Sequence, residues 1–173
     1  MSDLCFLGGA VAYARQLLPH PVAFGRHSGR LRLCRFQSRF AGEKLGGGGG
    51  RHSEWPIHSE ILRRRADVQV VAHTHALHAS VLSGGSEALA PYTLDADYFV
   101  DLPRHADEVA LITTPAEGAA LADSLGPHFA VLMANHGVTF CGTSVEHATC
   151  VGVFLEKACR AHLLGRAAGL RPN

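Results

Sequence analysis

Two histidines one residue apart, His73 and His75, follow the apolar run Val70-Val71-Ala72. A second apolar run, Phe129 to Met133, leads into Asn135-His136-Gly137. Alternate residues of a strand share a face, so His73 and His75 can point at one site. Three imidazoles at the ends of two strands suit a divalent metal with one coordination position left open. Such a centre acts as a Lewis acid on a substrate oxygen and stabilises an adjacent enolate. A carboxylate beside it moves a proton or serves as a displaceable fourth ligand, and Glu54, at the start of a predicted helix, suits either task. A lone histidine at a strand end is ordinarily a core or surface residue, and a first-turn carboxylate ordinarily complements the helix dipole. It is the combination that points to a site. His52, His58 and His78 have no spacing that singles them out and are read as structural or supporting.

These residues need elements to hold them. Ser53 to Arg65 reads as a helix, with Ser53 as N-cap, Pro56 in the first turn and Ile57, Ile61 and Leu62 as its buried stripe. Val68 to His75 reads as a strand and Leu77 to Leu82 as a short helix stopped by Gly84-Gly85. Ala90 to Pro103 reads as a loop and Val109 to Thr113 as a further strand. Thr114-Pro115-Ala116-Glu117 is a capping box that opens a helix ending at Gly126. Phe129 to Met133 is the next strand, with Val138 to Cys141 as its hairpin partner. Thr143-Ser144-Val145-Glu146 is a second capping box. It starts a long helix with Ala148, Val151, Leu155, Ala158, Cys159 and Leu163 on its apolar stripe and Gly165 or Gly169 at its end. Upstream, Leu7, Val11, Ala14 and Leu18 recur at helical spacing, so Leu4 to Leu18 is predicted helical. Leu31 to Phe36 alternates apolar and basic residues like a half-exposed strand. The glycine run from Gly46 to Gly50 reads as a flexible loop. It lacks the Gly-Lys-Ser/Thr of a phosphate-binding loop. Helices flanking short strands give a mixed α/β layer fold with no internal repeat and no second domain.

Composition bounds the function. The 173 residues suffice for one domain with a core. A formal net charge of +1 gives no global field for nucleic acid or an anionic membrane. The arginines of Arg63-Arg64-Arg65 and of the stretch Arg26 to Arg39 are read as solvated faces. The five cysteines are odd in number and form no Cys-x-x-Cys, which fits reduced thiols in a cytosol. No run is long enough to span a membrane, and the N-terminal stretch lacks a basic signal-peptide start. A cytoplasmic protein is expected.

Ser53-Glu54-Trp55-Pro56-Ile57-His58, Arg65-Ala66-Asp67-Val68, His73-Thr74-His75, Asn135-His136-Gly137 and Gly142-Thr143-Ser144-Val145-Glu146 occur in this order. Together they resemble the class II aldolase/adducin family, over about two-thirds of the chain. The resemblance implies an α/β/α sandwich around a mostly antiparallel central sheet, formed by residues 1–173 as one domain. Residues 53–166 would be its recognisable core and 1–52 a divergent N-terminal part. It implies His73, His75 and His136 as metal ligands and Glu54 as catalytic acid/base or fourth ligand. Ser53, Asn135 and Gly137 would contact substrate. It also implies a homotetramer, with a tyrosine from a neighbouring subunit assisting in some members. Tyr98 or Tyr92 would be the match here. Zinc is the first expectation for the metal, with manganese, cobalt or iron as alternatives.

The implied activity is a metal-dependent lyase. It would cleave a C–C bond by retro-aldol or decarboxylation, through a metal-stabilised enolate of a small hydroxy-carbonyl or carboxylate substrate. The alternatives are a non-haem iron oxygenase on the same three histidines and a non-catalytic, adducin-like assembly domain. The chain departs from the sugar-phosphate aldolases before Ser53. Gly25-Arg26-His27-Ser28 stands where those enzymes carry a Gly-Asn loop, the glycine run replaces a Thr/Ser-Gly turn, and His52 stands for the first of two serines. A carboxylate or aromatic acid is therefore at least as well supported as a phosphorylated substrate.

Overall fold

The computed structural model describes residues 11–15, 21–27, 30–38, 44–46, 53–106 and 111–172. For the first four stretches it describes the backbone as strands. They are β1 (Val11–Arg15), β2 (Pro21–His27), β3 (Arg30–Ser38) and β4 (Lys44–Gly46). Then follow α1 (Trp55–Arg64), β5 (Val70–Thr74), α2 (Leu77–Ser83), a 3-10 helix (Leu94–Phe99), β6 (Arg104–His105) and α3 (Pro115–Leu125). The chain ends in β7 (Ala130–Met133), β8 (Gly137–Gly142) and α4 (Val145–Ala167).

The strands form one eight-stranded sheet in the order β4-β3-β2-β1-β5-β8-β7-β6. Every pairing is antiparallel except β6 with β7. The expected mostly antiparallel sandwich is the fold found. Alternation decides which side chains face which helical layer. Val71, Val131, Met133 and Cys141 pack with Ile57, Ile61, Leu62, Leu121 and Leu125 of α1 and α3. Their neighbours Ala72, Ala130, Leu132, Val138 and Phe140 pack on the other face with α2, α4 and the 3-10 helix. His73 therefore shares the face of Val71, towards α1. No helix of the described residues is long and apolar enough to cross a membrane.

Several elements match their sequence signals. β3 contains the alternating Leu31 to Phe36, and α2 stops at Gly84. Thr114 and Glu117 make both bonds of the capping box. β7 and β8 form the expected hairpin. α3 reaches α1 closely because Gly118 has no side chain, since a Cβ there would lie 2.6 Å from the Pro56 carbonyl oxygen.

Others differ. Val11 to Arg15 is a strand inside the sheet, not part of a helix from Leu4 to Leu18. Five residues read equally well at either period, and pairing on both sides decides for the strand. The rest of that predicted helix lies outside the described residues. Gly46 ends β4, and the other glycines of its run lie outside them too. α1 begins later than expected. Ser53 is exposed in a turn, and Glu54 occupies the N-cap position without capping through its side chain. β5 is shorter than Val68 to His75, so His75 stands just past its end. The loop from Ala90 to Pro103 contains the 3-10 helix.

Leu111 to Thr113 is not a strand, and the remainder of that prediction lies outside the described residues. Ser144, not Thr143, caps α4, accepting from the His147 N–H at 3.1 Å. On α4 the last turns bury His162 and Gly165, while Leu163 is half-buried. The helix runs past Gly165 to Ala167, and Gly169, with φ of 70°, follows it. Arg65 is more than a solvated cation. Its guanidinium donates to the carbonyls of Gly126 (2.7 Å) and His128 (3.0 Å) and pairs with Asp67, tying the end of α1 to the turn before β7.

Candidate metal centre

The end of β5 and the β7–β8 turn bring the three predicted histidines together. One ring nitrogen from each of His73, His75 and His136 lies within 4.8 Å of the others. The ring centroids are 4.8 to 5.0 Å apart. The Nε2 atoms of His73 and His75 are 3.1 Å apart. Two nitrogens bound to one tetrahedral zinc at ~2.0–2.1 Å would be separated by roughly 3.4 Å, so these imidazoles need little movement to share an ion.

The turn that delivers His136 depends on its neighbours. Asn135 takes φ of 55°, a left-handed conformation that asparagine tolerates better than most residues. Its N–H donates to the Ser83 carbonyl at 3.2 Å. Gly137 then allows β8 to pass beneath His75. A Cβ there would lie 2.6 Å from the Thr74 carbonyl oxygen and 2.8 Å from His75 Cδ2. Of the three residues expected to contact substrate, Gly137 and Asn135 thus shape the turn, while Ser53 lies exposed beside Glu54.

Glu54 joins the cluster from α1. Its Oε1 lies 3.4 Å from His136 Nε2 and its Oε2 3.9 Å from His73 Nε2. The Ile112 N–H donates to Glu54 Oε1 at 3.3 Å. This backbone donor was not legible in the sequence, because it belongs to a segment predicted as a strand. His58, one turn along α1, points its Nδ1 at the Val71 carbonyl at 3.2 Å and couples the helix to β5.

The site has a dry back and an open front. His73 is 2% exposed and Glu54 5%, whereas His136 is half-buried and His75 exposed. Burial pushes the His73 imidazole well below its ordinary value, and nearby His136, His58 and His75 add to that. Burial also lowers His75 and His136. Neutral imidazoles are the form that binds metal. His136 Nε2 makes no hydrogen bond although it is buried. A buried, unbonded nitrogen beside two other imidazoles and a carboxylate is what a divalent cation would satisfy, so the residues present fit such an ion.

The depressed His73 value has a consequence for the metal-free protein. The unfolded chain takes up a proton on this side chain near pH 6.5, while the folded chain resists it to lower pH. Below about 6.5 the unfolded state therefore holds more protons, and stability falls with falling pH. Urea midpoints of metal-free protein are expected to be level from pH 8 to 7 and to decline from pH 6.5 to 5. A flat profile would show that His73 is not buried as described.

Tyr98 and Tyr92 are occupied within the chain. The Tyr98 hydroxyl bonds His147 Nε2 at 2.8 Å, and Tyr92 donates to the Leu170 carbonyl at 2.8 Å. His78 pairs with Glu156 at 2.7 Å, a structural role.

Known proteins share both sequence and fold with this chain. Decarboxylase NovR of Streptomyces niveus is 35% identical over 114 residues, 65% of this chain and 42% of that protein. The 4-hydroxy-3-prenylphenylpyruvate oxygenase/4-hydroxy-3-prenylbenzoate synthase of Streptomyces roseochromogenus subsp. oscitans is likewise 35% identical over 114 residues, 65% of this chain and 41% of that protein. The matched stretch thus spans about two-fifths of these relatives. Among solved structures, L-fuculose 1-phosphate aldolase from Glaciozyma antarctica PI12 superposes with a TM-score of 0.84 at 24% identity. That match covers 99% of this chain and 71% of the other. The family model described as Class II Aldolase and Adducin N-terminal domain matches residues 32–163. With three-quarters of its length inside that match, and with the same fold, the chain belongs to the class II aldolase/adducin family.

Proposed function

We propose that this protein is a divalent-metal-dependent lyase that breaks a C–C bond in a small hydroxy-carbonyl or carboxylate substrate. The observation that carries this is the convergence of three imidazoles with a buried carboxylate, Glu54, at 3.4 and 3.9 Å. His73, His75 and His136 would hold the ion, zinc first, with manganese, cobalt or iron as alternatives. Such an ion supplies Lewis acidity to a substrate oxygen and so stabilises an enolate as the bond breaks.

The chain supplies the rest. Glu54 Oε1 accepts from the Ile112 N–H, which holds the carboxylate beside His136 and His73, where it would take a proton from the substrate or return one. The buried walls around His73 and Glu54 limit water at that carboxylate, which strengthens its interactions with bound substrate. Ser53 next to Glu54, and Asn135 and Gly137 on either side of His136, are the proposed substrate contacts. The family's sugar-phosphate aldolases and the 35% identity to Decarboxylase NovR support retro-aldol cleavage and decarboxylation respectively. A small-molecule substrate and a homotetramer complete this reading.

A second reading rests on one observation, the equal identity to a relative named as an oxygenase. There the same histidines would hold iron and the reaction would consume O₂. Elemental analysis of the purified protein, followed by reconstitution with Zn, Mn, Co or Fe, separates these. Metal near one per chain, with CO₂ or an aldehyde released, supports the lyase. Iron with O₂ consumption replaces it with the oxygenase. Protein that carries no metal and accepts none overturns both.

A further inference from the structure

One buried hydroxyl outside the proposed ligand set is aimed at the deepest histidine of the cluster. Thr139 is fully buried on β8, directly opposite His73 on β5. His73 Nδ1 lies 3.2 Å from the Val138 carbonyl and 3.3 Å from Thr139 Oγ1. A carbonyl only accepts, so Nδ1 carries the ring proton and shares it between the two oxygens. In the neutral ring the lone pair is then on Nε2, the atom that faces His75 Nε2 at 3.1 Å. Thr139's own proton is engaged elsewhere, with Oγ1 donating to Met133 Sδ at 3.2 Å on β7. That leaves its lone pairs turned to His73.

The plainer account is that a β-branched residue suits a strand and that its hydroxyl bonds whatever is near. Valine has the same shape, suits a strand as well and needs no partner. What the hydroxyl adds is a directed chain from His73 through Thr139 to Met133, anchored on two strands beneath the ligand.

We infer that Thr139 is a positioning residue for the metal centre. With the Val138 carbonyl it holds His73 as the Nδ1–H tautomer and fixes the ring so that Nε2 meets the ion. This rests on the three-histidine reading given above. Groups of this kind typically change metal affinity 10–100-fold when removed. With the carbonyl still in place, the lower end of that range is expected.

The test uses cobalt(II), followed by its visible absorption, on wild-type protein and two variants. Thr139→Val is expected to bind cobalt about tenfold more weakly, and Thr139→Ser to bind it as wild type does. The melting midpoint of metal-free Thr139→Val should match wild type. Nitrogen-15 spectra of metal-free wild-type protein should show His73 protonated at Nδ1, a readout that does not depend on any variant folding. Cobalt affinity unchanged in Thr139→Val, or His73 protonated at Nε2, overturns the inference. A lowered midpoint with unchanged affinity overturns it as well, assigning Thr139 to strand packing alone. Wild-type protein that takes up no cobalt overturns the metal site itself, and this inference with it.

Discussion

Glu54→Gln is expected to leave a folded, metal-loaded protein whose turnover has fallen by ~10²–10⁴, the usual worth of a positioned acid or base. Glutamine keeps the shape of the side chain and one oxygen to accept from the Ile112 N–H. What it loses is the proton-accepting charge. Glu54 is 5% exposed, so the substitution also takes a negative charge out of a buried place, and the metal-free fold should not suffer for it. The measurement is kcat on whichever C–C cleavage substrate the wild type turns over, alongside metal content. Turnover lost with metal content kept assigns Glu54 to proton transfer. Turnover and metal lost together make it a fourth ligand. Unchanged turnover removes it from the mechanism.

Both roles depend on how the carboxylate is held. Glu54 stands at the N-cap of α1 but does not cap the helix through its side chain. Its Oε1 takes the Ile112 N–H, a donor from outside α1 in the segment that leads into α3. α3 in turn lies so close to α1 that Gly118 meets the Pro56 backbone. The carboxylate is therefore placed by tertiary packing between two helices, not by the local rules of a helix end.

That distinction separates what the sequence disclosed from what it did not. The two-residue spacing points His73 and His75 at one site, and the turn after a second apolar run brings His136 to meet them; the structure finds the three together, with His75 just past the end of β5 rather than on it. The Thr114 capping box and the β7–β8 hairpin are local patterns with local causes, and they were legible for that reason. Val11 to Arg15 carries apolar residues at helical spacing, yet its strand identity comes from pairing with β2 and β5 on either side, which that local pattern does not contain. Leu111 to Thr113 looked like a strand by composition, yet the Ile112 N–H bonds a carboxylate instead of a sheet neighbour. Thr139 has no mark of its own in the sequence, because its partner His73 follows only from the β5–β8 register.

His73→Ala is expected to have the largest effect on the centre itself, lowering metal affinity by more than the ~10–100-fold that loss of a supporting contact costs. Two imidazoles would remain, one of them exposed, and neither has the bonds to the Val138 carbonyl and Thr139 that fix His73. The stability of the metal-free variant should depend on pH in a telling way. At pH 8 wild-type His73 is neutral, fills its space and donates to the Val138 carbonyl, so the alanine variant should be weaker by about 1–3 kcal/mol. Below about 6.5 the wild type alone bears the cost of keeping that imidazole unprotonated in a buried place. The variant has no such group at this position, so the gap between the two should narrow as the pH falls towards 5. Urea titrations of both proteins at pH 8 and pH 5, with cobalt uptake measured in parallel at pH 8, check the two halves of the prediction separately. A gap that widens in acid would mean that His73 is stabilised as the imidazolium. That state is incompatible with its place among His75, His136 and an incoming cation.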